Sequence, residues 1–218
     1  MSLPRLLQLV SPALPVGGYT YSRGLETAVE REWVTTEAET RAWIAGLLEH
    51  SLATLDGPLV LRFHRALLAG DSAAALRWAR VVDATRETAE LQAESRQTGR
   101  ALVRLLVDLE LTEPPPDPIR DAHVAAFALA AVALGLDESD ALHGFLWTWL
   151  EGTVAAAIKL VPLGQTAGQR ILLQLGPELE HAAERAAALP DEALGALAPG
   201  LALASALHET QHTRLFRS

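Results

Sequence analysis

Seven histidines and no cysteine bound the chemistry open to this 218-residue chain. Without thiols there is no disulfide framework, no thiolate metal site and no cysteine nucleophile. One pair of histidines is spaced for work. His208-Glu209-Thr210-Gln211-His212 matches the helical pattern in which two imidazoles one turn apart hold zinc and a glutamate serves as general base. Little chain follows His212, so a third ligand would have to come from elsewhere in the fold, and nothing marks one. The remaining histidines, His50, His64, His123, His143 and His181, fall singly on separate predicted helices and read as packed or surface residues. Glu87 and Glu90 share a helical face, as solvated carboxylate pairs commonly do. No GxxxxGK[ST] loop cradles a phosphate, no GxSxG elbow presents a serine, and Gly17-Gly18 reads as a turn. No catalytic constellation emerges.

Three other features are unusual. The loop Ser11-Pro12-Ala13-Leu14-Pro15-Val16-Gly17-Gly18-Tyr19-Thr20-Tyr21-Ser22 is rich in conformational fixtures and precedes a helix that Ser22 is placed to cap. The tail His212–Ser218 carries Leu215 and Phe216 between Arg214 and Arg217. Chain ends are normally polar and mobile, so these two hydrophobes point to docking, onto the chain's own body or onto a partner. Lys159 is the single lysine among 18 basic residues and sits in the apolar run Ala155–Pro162. An ammonium there must either reach water along its own stem or find a specific contact.

The elements that position these groups all read with helical period, and alternating strand patterns are missing. Thr36 with Glu39 makes a capping box ahead of the stripe Trp43, Ile44, Leu47, Leu48, Leu52 and Leu55. Asp56-Gly57-Pro58 is read as a break that starts a further helix, which ends at Gly70. Asp71 caps the next. The clearest interruption is the proline-rich stretch 113–118, a short stiff connection between two helical halves. The stretch His123–Leu134 is apolar nearly all round and must be central or covered by a partner. Asp140–Val161 resembles it. Pro162, Gly164, Gly176-Pro177, Pro190 and Pro199-Gly200 are expected to cut the remainder into short helices. The expectation is an all-α single domain over 1–218, a bundle of roughly eight to ten helices with mobile or partner-docked termini and a docking tail at 208–218.

Charge narrows the partners. With 18 basic against 27 acidic residues the net charge is −9, and aromatics make up 5% of the chain. Such a surface repels phosphate backbones and anionic lipid, so neither nucleic acid nor membrane is expected as a partner. Apolar runs fall short of the roughly 20 residues that cross a bilayer, and no secretory signal is read at the start. A cytoplasmic setting is expected.

Four separated motifs, in order, give the chain a resemblance that runs nearly its whole length. They are Leu14-Pro15-Val16-Gly17-Gly18-Tyr19 with Ser22-x-Gly24-Leu25-Glu26; Arg86-Glu87-Thr88-x-Glu90-Leu91 with Glu94 and Gly99; Lys159-Leu160-Val161-Pro162-x-Gly164-Gln165; and His208-Glu209-Thr210-Gln211 with Arg214-Leu215-Phe216-Arg217-Ser218. Together they resemble the urease accessory protein UreF family. The resemblance implies an all-α, homodimeric, non-enzymatic scaffold that binds no cofactor itself. It would join UreD (UreH in some systems), recruit the GTPase UreG and engage apo-urease, with nickel and GTP acting through those partners. The terminal motif would dock UreD, while the Pro15–Glu26 and Lys159 regions would help meet the GTPase. His212 stands where the family carries Tyr and Thr213 where Ser is common, so the zinc-like spacing is read as accidental. Leu163 replaces a frequent aromatic.

Overall fold

A computed structural model describes residues 3–217, and among these the regular structure is helical throughout. Short α1 (Leu3–Leu9) leads through the proline-glycine loop and a 3-10 turn at Gly18–Thr20 to α2 (Leu25–Glu30). The capping box forms as expected: Thr36 Oγ1 accepts the Glu39 amide at 3.2 Å and the Glu39 carboxylate accepts the Thr36 amide at 3.1 Å, starting α3 (Glu37–Leu47). The amide and hydroxyl of Thr35, which also donate to this carboxylate at 2.8 Å, together with Thr36 hold the Glu39 carboxyl below its ordinary range.

Asp56-Gly57-Pro58 does not break the chain as expected. The backbone instead passes from α3 through a π-helical run, Leu48–Asp56, into α4 (Gly57–Leu68), with both junction residues in right-handed helical geometry. Proline is tolerated in the first turn of the new helix, where its missing N–H matters least. Then come α5 (Ser72–Thr85), capped by Asp71, and α6 (Ala89–Asp108), capped by Thr88. The proline-rich connection runs extended to Pro116 and then forms only the single turn α7 (Asp117–Arg120).

Apolar α8 (His123–Ala133) occupies the centre. Every residue from Val124 to Ala131 is buried, and α4 and α6 are its chief neighbours. Its all-round hydrophobicity is therefore satisfied within its own chain and makes no claim on a partner. Phe127 and Phe145 meet edge to face at 5.4 Å where it crosses α9 (Glu138–Leu160).

The remainder is cut at Pro162–Gly164, at Pro190 and at Pro199-Gly200 as expected, but not at Gly176-Pro177. A 24-residue helix, α10 (Gln165–Ala188), continues unbroken through Gly176-Pro177 and packs on α9 and the π-helical run. Proline removes one internal hydrogen bond there, but Leu173 lies exposed one turn before it, so water can reach the vacated carbonyl. A 3-10 turn at Asp191–Ala193 and then an extended stretch lead to α11 (Pro199–His208) and the tail. No helix among the described residues is long and apolar enough to cross a membrane.

A candidate docking surface

Glu26 is the hub of the site. It lies in the first turn of α2, whose start is set by Gly24 rather than by Ser22: Gly24 holds φ +77, and a Cβ there would press within 3.1 Å of Ala204 and Leu201 on α11. Ser22 still contributes, because its hydroxyl accepts the Glu26 amide at 3.2 Å. The Glu26 carboxylate, 7% exposed, accepts the backbone amides of Leu215 at 2.6 Å and Phe216 at 2.9 Å. It also faces His208 Nε2 at 3.2 Å. Hydrogen bonds to a charged acceptor stabilise by roughly 1.5–3 kcal/mol each, so this one side chain holds the tail on the body.

Glu90, in the first turn of α6, closes the other side. One of its oxygens meets His208 Nδ1 at 2.8 Å and the other pairs with Arg214 at 3.0 Å. Arg214 further donates to the carbonyls of Gln211 and Glu209, at 2.7 and 2.6 Å. Glu209 caps α6 from outside by accepting the Ala89 amide at 3.0 Å, and Thr27 donates to the Gln211 side chain at 3.2 Å. The histidine pair is thereby resolved. Helix α11 ends at His208, both of whose ring nitrogens face carboxylates, while His212 lies exposed beyond a turn. The two imidazoles do not share a helical face.

The tail thus lies on its own body, and its two hydrophobes part company. Phe216 is 6% exposed and packs under Lys159, whose Nζ stands 5.7 Å from the ring centre. That contact is the specific partner of the lone lysine, worth about 0.5–1 kcal/mol at an exposed site. Leu215 is 65% exposed and Tyr19 70%. Arg217 joins the same patch, its amide donating to the Thr20 carbonyl at 2.8 Å and its guanidinium to Gln97 at 3.0 Å. Tyr21 donates to the same Gln97 oxygen at 2.8 Å. Burial raises the Tyr21 phenol above its ordinary value, with Arg217 pulling the other way.

All four landmark motifs meet here through Glu26, Glu90, Lys159 and the 208–217 segment. Other residues of these motifs lie apart. Gly17 and Gly18 shape the turn that carries Tyr19, and Gly17 adopts φ +74. Leu25 is buried in a small cluster with Val34, Ala157 and Val161. Pro15, Glu87, Pro162, Gly164 and Gln165 are exposed, the last two opening α10. Ser218 lies outside the described residues. Arg86 turns inward and pairs with Asp56 at 2.6 Å. Burial opposes its charge, but Asp56 more than compensates and raises its pKa.

Arg86 and Asp56 belong to a partly open chamber of about 100 Å³. Its polar wall also includes Arg23, Glu94, Thr98 and His123. Arg23, at φ +55, bonds Glu94, the Trp149 carbonyl and Thr153, each at 3.1 Å. Sequence reading passed over Arg23, the unspecified position of Ser22-x-Gly24, because its partner Glu94 lies 71 positions away and no local spacing links them. It also missed Gln97 and Thr20, which hold the tail through contacts no spacing reveals.

Among the described residues the chain is an all-helical protein whose distant motifs fold together into an exposed patch around a pinned tail. The UreF family model matches residues 34–176. A urease accessory protein UreF from Alkalilimnicola ehrlichii is 48% identical, with 98% of this chain and 95% of the relative covered. Those of Chromohalobacter salexigens and Azoarcus sp. strain BH72 are 47% and 49% identical, over all of this chain and 95% and 96% of theirs. The chain belongs to the UreF family of urease accessory proteins.

Proposed function

We propose that the chain is a non-catalytic scaffold in urease maturation. In this reading it docks a UreD-type protein (UreH in some systems), recruits a UreG-type GTPase and engages apo-urease, and nickel and GTP are handled by those partners in the cytoplasm. The observation that carries it is the gathering of Glu26, Glu90, Lys159 and residues 208–217 into one patch on which Tyr19 and Leu215 stand exposed. Apolar anchors rimmed by cations are what a partner groove engages. The absence of a phosphate loop in the sequence fits a protein that borrows its nucleotide step. Self-association into a homodimer belongs to the same reading and is supported by the family resemblance, since α8 is covered by its own chain.

The test is co-purification with UreD- and UreG-type partners, with and without guanine nucleotide and nickel. Removing Arg214–Ser218 is expected to abolish the UreD contact while far-UV helicity stays intact, and unchanged binding would remove the docking assignment. Lys159→Ala is expected to alter GTP turnover in the assembled complex more than thermal stability.

A further inference from the structure

The π-helical run Leu48–Asp56 has a cause in the sequence and a counterpart elsewhere in the chain. Pro58 has no amide hydrogen, so the Thr54 carbonyl lacks its ordinary i+4 donor. That carbonyl accepts the Gly195 amide at 3.0 Å instead. One turn earlier the His50 carbonyl accepts the Leu197 amide at 2.9 Å, along with the Thr54 hydroxyl at 3.0 Å. At the end of the run the Gly57 amide reaches Leu52, the wide i→i−5 step. Extended residues 194–198 therefore lie along the widened helix and use carbonyls that a regular α-helix would keep for itself. Pure π runs of this length are rare and favour functional positions.

The same two segments bound the chamber. Ala196 and Ala198 line it from the extended side, and Ser51, Leu52, Leu55 and Asp56 from the π-helical side. Asp56, the last π-helical residue, holds Arg86. Leu197 itself is exposed and only Leu194 and Ala198 pack, partly buried, against the core, so backbone hydrogen bonds carry much of the attachment.

We propose that residues 194–198 and the π-helical run form a single latch over the Arg86–Asp56 chamber, opening together while the helical body stays folded. Pro58 makes the latch obligatory by denying Thr54 its intrahelical donor. When the extended segment lifts, the widened turns lose two acceptor partnerships at once, the register near Asp56 loosens, and the partly open chamber opens wider to solvent. The inference stands independently of the partners proposed above.

Hydrogen–deuterium exchange of the full-length chain tests it. In the unmodified protein, peptides covering 48–57 and 194–198 are expected to exchange at matching rates, at least tenfold faster than α8. Gly195→Pro removes one donor, and Leu194 already holds the extended geometry that a following proline requires. It is expected to speed exchange across 48–57 about tenfold with α8 unchanged. Pro58→Ala restores a donor for Thr54 and is expected to move the segments in opposite directions, slowing 48–57 and speeding 194–198. Because the chain has no cysteine, Thr98→Cys places a unique thiol in the chamber wall, and its labelling rate is expected to rise about tenfold when combined with Gly195→Pro. Exchange at 48–57 that ignores Gly195→Pro, movement of both segments in the same direction in Pro58→Ala, or acceleration of α8 together with them overturns the latch.

Discussion

His123 opens α8 with its imidazole set in the chamber wall. Burial depresses its pKa to about 4, and Arg23 and Arg86 push the same way, against the smaller opposing pull of Asp56. Its Nδ1 is buried with no hydrogen-bond partner, while its ring packs near Phe127 and Phe145 at 6.4 and 6.1 Å. The native state therefore holds the imidazole neutral where the unfolded chain, near 6.5, would protonate it. Between those values the unfolded state binds the additional proton, so this stabilisation is complete above pH 6.5 and is lost as pH falls toward 4. A shift of this size corresponds to about 3 kcal/mol. His123→Gln cannot titrate, and its urea midpoint is expected to fall less than that of the unmodified chain between pH 7 and pH 4.5. Parallel pH profiles would show that another group governs acid sensitivity.

Helices α6 and α8 meet at a contact that depends on one missing side chain. A Cβ at Gly99 would lie 2.7 Å from the Arg120 carbonyl oxygen and 3.0 Å from the His123 amide, both backbone atoms that cannot rotate away. Gly99→Ala should raise intrinsic helix propensity in α6 yet force the α7–α8 corner outward, and overpacking of this kind costs about 1–3 kcal/mol. A lowered urea midpoint with unchanged far-UV helicity is the expected result; a stabilised variant would mean that the corner yields freely. Elements as a class were readable in the sequence wherever a local rule decides. Thr36, Asp71 and the apolar stripe of α3 each act within a few residues. The misreadings fall where packing overrules a local breaker. Pro177 looks like a helix end, yet α10 packs on α9 and the π-helical run and continues across it. Pro58 looks like another, yet its lost hydrogen bond is replaced from residue 195, which no local window contains.

At the scale of the whole molecule, the terminal hydrophobes signalled docking without showing on what. Leu215 and Phe216 are adjacent and both apolar, so residue type cannot say which one faces inward. The difference is made by Glu26, 190 positions from Phe216, whose carboxylate fixes the local backbone and leaves Phe216 beneath Lys159 and Leu215 outward. This division of labour separates folding from binding. Phe216→Ala removes a buried ring from the body, so the tail is expected to loosen, seen as faster amide exchange at 214–217, with the remaining helices unaffected because the contact closes no central layer. Leu215→Asp and Tyr19→Ala alter side chains that touch mostly solvent, so the melting temperature and tail exchange are expected to stay as they are. Capture of a UreD-type partner by these two variants should nevertheless weaken tenfold or more, since exposed apolar anchors release their energy only when a partner covers them. If both variants bind as the unmodified chain does, the patch around the pinned tail is a fold-closing device, and the partner surface must be sought on another face.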